Sequence, residues 1–203
     1  MKRPLPFILC LCLCLCMCMC LLPLAASPAV AAARREVVKP LGSFGAWKAF
    51  AFRQSGHPVC YMTLTTERPA RGMKRGPLYL MITDRPGEGS KDVVSYAAGY
   101  AFKGGSDVTV KVDGKDFDMF TQNETAWSRD AATDHALAAA IARGAVIEFA
   151  GTPAKGPHSM TDKLSLHGSL DAYRAISKAC GIRIEEPRKP VHKTHKKSSK
   201  KRK

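Results

Sequence analysis

The sequence predicts a mainly β domain, built as a β-sandwich with two short helices. Short runs rich in Val, Tyr, Phe and Thr follow one another between Gly, Pro and Asp residues, as strands and turns do. The pair Asp113-Gly114 joins two alternating runs and indicates a tight hairpin. Because strands and helices do not alternate regularly along the chain, the order favours a sandwich over a parallel α/β fold.

The first four predicted strands occupy residues 44–52, 59–66, 78–83 and 93–102. The first is dense in aromatic residues, and His57-Pro58 separates it from the second. A basic loop with Pro and Gly, residues 68–76, precedes the third strand. These runs predict an antiparallel meander.

The second group of strands begins with the hairpin of residues 108–112 and 115–120. Asp-Gly tolerates the two positive φ angles that a tight turn requires, so this hairpin is predicted with its turn at Asp113-Gly114. Two further strands are predicted at residues 145–149 and 159–166.

The first helix is predicted over residues 130–143. Ser128 or Asp130 can cap its start, Ala residues are dense within it, and Gly144 can adopt the left-handed conformation at its end. The second helix is predicted over residues 169–180 with Gly181 after it. Four residues of this second helix lie near one face: Leu170, Tyr173, Ile176 and Cys180.

The first 33 residues have the three-part pattern of a secretory signal peptide. A basic start is followed by an apolar run at residues 7–22 and a small-residue stretch at residues 25–33. The alternative is a retained membrane anchor, although the run is shorter than the roughly 18 to 20 residues that a spanning helix prefers. The predicted organisation is signal peptide 1–33, linker 34–43, β-sandwich domain 44–184 and basic tail 185–203.

Six of the eight cysteines lie inside this apolar run and alternate with Leu and Met. A metal or redox repeat is one interpretation. Cysteine also behaves as a small apolar residue. In a segment that is exported as a helix, cysteines at every second position do not form a set of metal ligands. We therefore interpret these cysteines as part of the signal.

Cys60 and Cys180 are the two cysteines that remain after the signal. An even count in an exported chain favours a disulfide. The closed loop would lower the entropy of the unfolded chain by an amount equivalent to roughly 4–5 kcal/mol. The alternative is a free catalytic thiol, for which His57 is the nearest histidine in sequence and no orienting group is evident.

A series of short motifs runs through the predicted domain. They are Phe44-Gly45-x-Trp47, Val59-Cys60-Tyr61, Gly99-Tyr100-x-Phe102-Lys103-x-Gly105-Ser106-Asp107, Ala126-Trp127, Gly151-Thr152, Thr161-Asp162-x-Leu164-Ser165-Leu166-x-Gly168 and Ala179-Cys180. In their order and spacing they resemble the invasion-associated locus B proteins of alphaproteobacteria. The resemblance covers residues 44–181.

This resemblance implies an exported, envelope-associated domain with an immunoglobulin-like β-sandwich. The family takes its name from a link to host-cell invasion in a pathogenic member, so a virulence-associated role is implied only for such members. Many relatives occur in organisms with no invasive life. The family provides no catalytic residues that could be assigned to this chain.

The tail, residues 187–203, contains nine basic residues and no acidic one. Its few apolar side chains cannot offset the entropy of ordering, so we expect it to be disordered. Its predicted anion-binding residues are Arg188, Lys189, Lys193, Lys196, Lys197, Lys200, Lys201, Arg202 and Lys203. In an exported protein the expected partners are anionic phospholipid, lipopolysaccharide or host glycans. The alternative is a solvated tail that only increases solubility.

The net charge of +15 is concentrated outside the predicted domain. Nine positive charges lie in the tail and two in the signal, which leaves +4 for residues 34–186. This domain is only mildly basic, and nucleic acid is not an expected partner.

Other candidate chemistry is sparse. His192 and His195 lie among lysines, and the other four histidines are scattered, so no metal site is predicted. Calcium binding by acidic residues of the hairpin is an alternative to a solvated turn; these are Asp113, Asp116 and Asp118. Five aromatic residues are interpreted as core or cap residues rather than a ligand site: Trp47, Tyr61, Tyr79, Tyr100 and Trp127.

Together these observations predict a periplasmic or surface-associated, non-enzymatic binding or accessory protein that needs no cofactor. We expect a monomer whose tail contacts anionic envelope lipids or lipopolysaccharide and whose sandwich offers one face to a protein partner. The alternatives are an enzyme acting on an envelope polymer and a purely structural envelope protein.

Overall fold

A computed structural model describes residues 36–66 and 75–184. Their ten strands are β1 (Lys39–Phe44), β2 (Trp47–Gln54), β3 (His57–Thr66), β4 (Leu78–Arg85), β5 (Ser90–Ala97), β6 (Asp107–Val112), β7 (Lys115–Gln122), β8 (Thr125–Ser128), β9 (Val146–Gly151) and β10 (Met160–Ser165). Helix α1 (Ala131–Arg143) follows β8, and helix α2 (Ser169–Ala179) follows β10. The predicted signal peptide and basic tail lie outside the described residues.

The strands form one antiparallel sheet that folds over into two facing layers, the first made of β1–β5 and β8 and the second of β6, β7, β9 and β10. Its order is β1-β2-β3-β4-β5-β8-β7-β6-β9-β10. Tyr96 of β5 stacks on Phe149 of β9 with ring centroids 3.9 Å apart, although three strands lie between them in the hydrogen-bonded order. The layers therefore pack inner face against inner face, and the prediction of a mainly β, sandwich-like domain with two helices is confirmed.

The core lies between the layers and under the helices. Alternate residues of β2–β5 point inward, since the side chains of a strand alternate between its two faces. The buried residues of these strands include Trp47, Ala49, Cys60, Met62, Leu64, Leu80, Ile82, Val94 and Tyr96. Helix α2 packs against β1, β2 and β3, and α1 packs against β5. Both helices cover the inward face of the first layer.

The predicted hairpin is present, with Asp113 and Gly114 at φ 46° and 90° between β6 and β7. Asp113 also accepts the backbone N–H groups of Ala145 and Val146 at 2.8 and 3.0 Å. This carboxylate therefore fixes the start of β9. Its role in these hydrogen bonds is structural.

Some predicted boundaries were wrong for local reasons. The strand predicted at 44–52 is two strands, because Gly45 adopts φ 61° in the tight turn between β1 and β2. Strand β1 begins at Lys39, inside the segment 34–43 that was predicted as a linker. Strand β8 was not predicted, since four residues are too few for a recognisable alternation.

The end of the fourth predicted strand was also wrong. Strand β5 stops at Ala97, and Gly99 then adopts φ 72° with its α carbon against the backbone of Gly76. A Cβ at position 99 would lie 2.3 Å from the Gly76 oxygen. This close approach requires glycine and ends the strand.

The helix ends differ from each other. Of the two predicted caps, Ser128 and Asp130, it is Asp130 that caps α1, by accepting the Thr133 N–H at 2.7 Å. Gly144 is extended, with φ −79°, so its predicted left-handed conformation was wrong. A Cβ there would lie 2.7 Å from Cγ1 of Val112, and close packing explains the glycine. Gly181 does adopt the left-handed conformation after α2.

Candidate binding surface

The predicted disulfide joins the first layer to the end of α2. Cys60 points inward from β3, and Cys180 is the residue that caps α2. Their sulfur atoms are bonded, and their Cα atoms are 6.0 Å apart. Both residues are buried, at 0% and 7% exposure. In this state neither sulfur is a thiol nucleophile, so the alternative of a catalytic cysteine has no support here.

A group of buried acidic and aromatic side chains lies beside the disulfide. Asp84, the cross-strand neighbour of Cys60, accepts the Asp92 N–H at 2.8 Å through Oδ1. Asp92 in turn accepts the Tyr173 hydroxyl at 2.7 Å, and its second oxygen lies 2.6 Å from Nδ1 of His135. These contacts connect β4 and β5 to both helices.

Burial governs the ionisation of this cluster. The side chain of Asp84 is fully buried, and its Oδ2 has no hydrogen-bond partner among the described residues. Loss of solvation raises the pKa of Asp84 to about 6. Burial and the neighbouring Asp92 carboxylate also raise the pKa of Tyr173. Asp84, Asp92 and Tyr173 are buried, and only His135 of the cluster is exposed, which fits a role in holding the helices.

A second polar cluster joins the two layers. Arg75, just before β4, makes two hydrogen bonds of 2.7 and 3.0 Å to the Asp162 carboxylate on β10. The Tyr96 hydroxyl donates to the same carboxylate, and the Arg75 guanidinium lies 5.5 Å from the ring centre of Tyr100. Burial raises the pKa of Tyr100 to about 12, so this hydroxyl stays protonated at neutral pH.

The outward side of the first layer is apolar and aromatic. We use the name aromatic face for the outward side chains of β2–β5 and β8, together with Phe120 of the neighbouring β7. They are Lys48, Phe50, Phe52, Tyr61, Thr63, Thr65, Tyr79, Met81, Thr83, Arg85, Val93, Ser95, Ala97, Phe120, Thr125 and Trp127. Most of them are half-buried by their neighbours, and Tyr79 is 41% exposed.

Cross-strand register arranges this face in rows. One row runs Thr63, Met81, Ser95, Trp127 and Phe120 across β3, β4, β5, β8 and β7. In an adjacent row Phe50 and Tyr61 stack with ring centroids 5.1 Å apart. The rings therefore pack against each other within a continuous apolar surface.

The outward side of the second layer has different chemistry. Lys111 pairs with Asp116 at 3.4 Å, and Lys163 pairs with Glu148 at 2.5 Å. These pairs lie on exposed strands in which polar residues alternate strictly with buried ones. Such a surface is an ordinary solvated face, and ion pairs of this kind contribute little to stability.

Charge also distinguishes the aromatic face. Strands β2, β3 and β8 contain no Asp or Glu, and the carboxylates of β4 and β5, Asp84 and Asp92, are buried. The outward charged residues are the basic Lys48 and Arg85. The face therefore presents apolar and hydroxyl groups with the positive charge of Lys48, while Arg85 at its edge is paired with the exposed Glu88 at 3.7 Å.

The concavities on the surface of the described residues are either small or open to solvent. One of about 200 Å³ is lined by Gln54, His57, Arg85 and Glu88 among others. A wider one of about 750 Å³ lies at the start of α2, where the Ser165 oxygen accepts the His167 backbone N–H at 3.3 Å. Among the described residues, no hydrogen bond in either concavity joins a side-chain base to a nucleophilic side chain.

The structure tests only some of the sequence-predicted residues. All nine basic tail residues lie outside the described part of the chain. Within residues 36–66 and 75–184, no group of three or more His, Cys, Asp or Glu could hold a metal ion. In the same ranges no helix has the length and apolar character needed to cross a bilayer. Trp47 and Tyr100 are core residues, as interpreted, whereas Tyr61, Tyr79 and Trp127 belong to the aromatic face.

Sequence reasoning missed the two buried polar clusters. Asp84 continues the inward alternation of Leu80 and Ile82, and that spacing could have indicated a buried carboxylate. Asp162 and Arg75 are 87 residues apart, and no local pattern pairs them.

Comparison with known proteins places the chain in a family. A family model described as "Invasion associated locus B (IalB) protein" matches residues 47–177. The fold is similar to the crystal structure of invasion associated protein B from Bartonella henselae, with a TM-score of 0.51 and 17% identity. That match covers 68% of this chain and 95% of the Bartonella chain, and at this identity it concerns the fold alone. No curated protein matches the chain. Since the family model spans more than half of the 203 residues, the chain belongs to the invasion associated locus B family.

Proposed function

We propose that this protein is an exported, non-enzymatic binding or accessory protein of the cell envelope. In this proposal the folded domain makes contact through its aromatic face, and the cationic tail contacts anionic lipid, lipopolysaccharide or a host surface. The family's name refers to invasion, and a link to host-cell interaction is one part of the proposal for this chain.

The aromatic face is the observation that carries this proposal. Exposed apolar surface in a soluble domain indicates an interaction site when it is contiguous, whereas scattered apolar residues carry no such meaning. Trp127, Met81 and Tyr61 are side-chain types that are enriched in interfaces. The side chains of the face itself include no Asp or Glu, and acidic residues lie only at its border, Glu88 beside Arg85 and Asp107 beside Phe120. The charged outward side of the second layer provides an internal contrast.

The tail supports the same function from its charge. Nine basic residues in 17 positions would attract anionic surfaces over about a Debye length, roughly 8–10 Å at physiological salt. Basic residues near an anionic membrane contribute about 1 kcal/mol each. The signal-like start of the chain supports an envelope location, where nucleic acid is not the available polyanion.

Site-specific photo-crosslinking in intact cells tests the proposed function. A photoreactive residue is placed at Tyr79 on the aromatic face or, as a matched control, at Thr161 on the outward side of β10. We expect crosslinked adducts at position 79 and few at position 161, with fewer at position 79 when residues 189–203 are deleted. Equal yields at the two positions, or no adducts at either, would contradict a binding role for this face.

A further inference from the structure

We propose that the aromatic face is a docking site for the surface of an anionic lipid bilayer. This inference rests on the proposed function and deepens it, since it names the lipid surface as the partner of the folded domain. The tail and the face would then contact the same membrane.

The size of the face favours a lipid surface over a folded protein. Its outward side chains on β2–β5 and β8 extend over five adjacent strands, and those of β4 run from Tyr79 to Arg85. With a strand spacing of about 4.8 Å and a rise of about 3.3 Å, the face measures roughly 25 by 20 Å, or about 500 Å². A standard protein–protein interface buries about 800 Å² on each partner. Contact with a bilayer does not require this much buried area, because the contacts of the face add to those of the tail.

The side chains are of the kinds found at membrane–water boundaries. Tyr61, Tyr79 and Trp127 combine an apolar ring with a polar tip, and such residues are enriched at the level of the lipid headgroups. Thr83 provides a hydroxyl group beside Met81, which is apolar. A partly buried, level surface of this composition suits the headgroup region and does not require deep insertion.

Charge selects an anionic partner and disfavours two other occupants. Lys48 and Arg85 are positive, with Arg85 paired to Glu88 at the edge of the face, and the carboxylates of β4 and β5 are buried. A second copy stacked on the same face would bring these cations together, and the protein's own basic tail would meet the same repulsion. A bilayer with anionic headgroups meets the basic side chains with opposite charge, and its apolar interior accepts the rings.

The two sides of the domain would respond differently to such a membrane. On the outward side of β6, β7, β9 and β10, Lys111 and Lys163 are paired with Asp116 and Glu148, and Asp118 adds a further negative charge, so this side offers an anionic surface no net positive charge. Polybasic and apolar contacts together give stable attachment where one of them alone is weak. We therefore expect the aromatic face to turn toward the membrane when the tail is bound.

Tryptophan quenching tests this orientation directly. The chain has two tryptophans: Trp47, fully buried in the core, and Trp127, on the aromatic face. The exported full-length chain is mixed with vesicles of phosphatidylcholine and phosphatidylglycerol, or of phosphatidylcholine alone, with brominated acyl chains as short-range quenchers. We expect quenching only with the anionic vesicles, and we expect the Trp127→Phe variant, which retains Trp47, to lose it.

A matched pair of charge reversals separates the face from general electrostatics. Lys48→Glu and Lys163→Glu change the net charge equally, on the aromatic face and on the opposite outward side. At about 1 kcal/mol per basic residue, Lys48→Glu should weaken vesicle binding at least fivefold, whereas Lys163→Glu should change it less than twofold. Circular dichroism of both variants checks that they fold.

Failure of this inference and failure of the proposed tail contact give different results. Vesicle sedimentation that depends on residues 189–203, without quenching of Trp127 and with equal effects of the two reversals, would overturn docking through the face and leave the tail contact intact. Quenching of Trp127 with vesicle binding unchanged by tail deletion would support the face and overturn the tail contact.

Discussion

Replacing Asp84 by asparagine should change how stability depends on pH. The Asp84 side chain is fully buried between Cys60 and Asp92, and one of its oxygens has no partner among the described residues. Asparagine has nearly the same shape, and its oxygen can still accept the Asp92 N–H. The substitution therefore removes the ionisation of this group with little change in packing.

The sign follows from the direction of the pKa shift. Burial raises the pKa of Asp84 from 3.8 to about 6, so the folded state holds this proton more tightly than the unfolded state. The stabilisation is complete below pH 3.8 and is lost as pH rises through 6. A shift of about two pKa units corresponds to about 3 kcal/mol, most of which is lost between about pH 4 and pH 7.

Urea unfolding from pH 4 to pH 8 measures this effect as a difference between two proteins. The free energy of unfolding of Asp84→Asn minus that of the wild type should increase by about 2–3 kcal/mol across this range. The other ionisable groups around Asp84 are Asp92, Lys91, His135 and Tyr173, and they are present in both proteins. Their contributions therefore cancel to first order.

The matched control is Asp118→Asn, which makes the same chemical change on the exposed side of β7. A difference curve for Asp84→Asn that does not change with pH, or that matches the control, would refute the reasoning. So would a curve that falls with rising pH, because it would mean that the folded state prefers the ionised carboxylate.

The remaining predictions concern the disulfide and the buried ion pair. Replacing both Cys60 and Cys180 by alanine should lower the free energy of unfolding by about 4–5 kcal/mol, because the disulfide joins residues 120 positions apart. Mass spectrometry of the exported wild type should show two hydrogens fewer than the free-thiol form. Two free thiols would contradict the disulfide. Asp162→Asn should destabilise by about 3–5 kcal/mol, since it leaves the Arg75 side chain, 2% exposed, without its counter-ion. The control is Lys163→Met, which breaks the exposed Lys163–Glu148 pair and should lower the free energy of unfolding by less than about 1 kcal/mol. A similar loss of stability in both variants would show that the Arg75 charge is not isolated by burial.

Local rules predicted the parts of this fold in which a few neighbouring residues decide the structure. The Asp113-Gly114 hairpin and the cap at Asp130 depend on residues within three positions of each other, and both were predicted. The Gly144 conformation was wrong because the contact that requires glycine comes from Val112, on another element. The pairing of Arg75 with Asp162 depends on how the start of β4 in one layer lies against β10 in the other, which no local sequence pattern encodes.

The aromatic face also has a sequence signature, and its meaning becomes clear only with the topology. Strand β6 alternates strictly between buried and exposed residues, as a strand with one solvated side does. Residues 78–83 of β4 form instead a nearly continuous apolar run, a pattern typical of strands that are covered on both faces.

Among the described residues, protein covers only the inward side of this strand. Leu80 and Ile82 are buried in the core, while Tyr79 and Met81 face outward on the aromatic face. The sequence of β4 is therefore typical of a strand covered by apolar groups on both faces. No element of the described part of the domain covers its outward face. A bilayer surface at this position would complete the environment for which the strand's composition is suited, and the quenching of Trp127 distinguishes that outcome from a face exposed only to water.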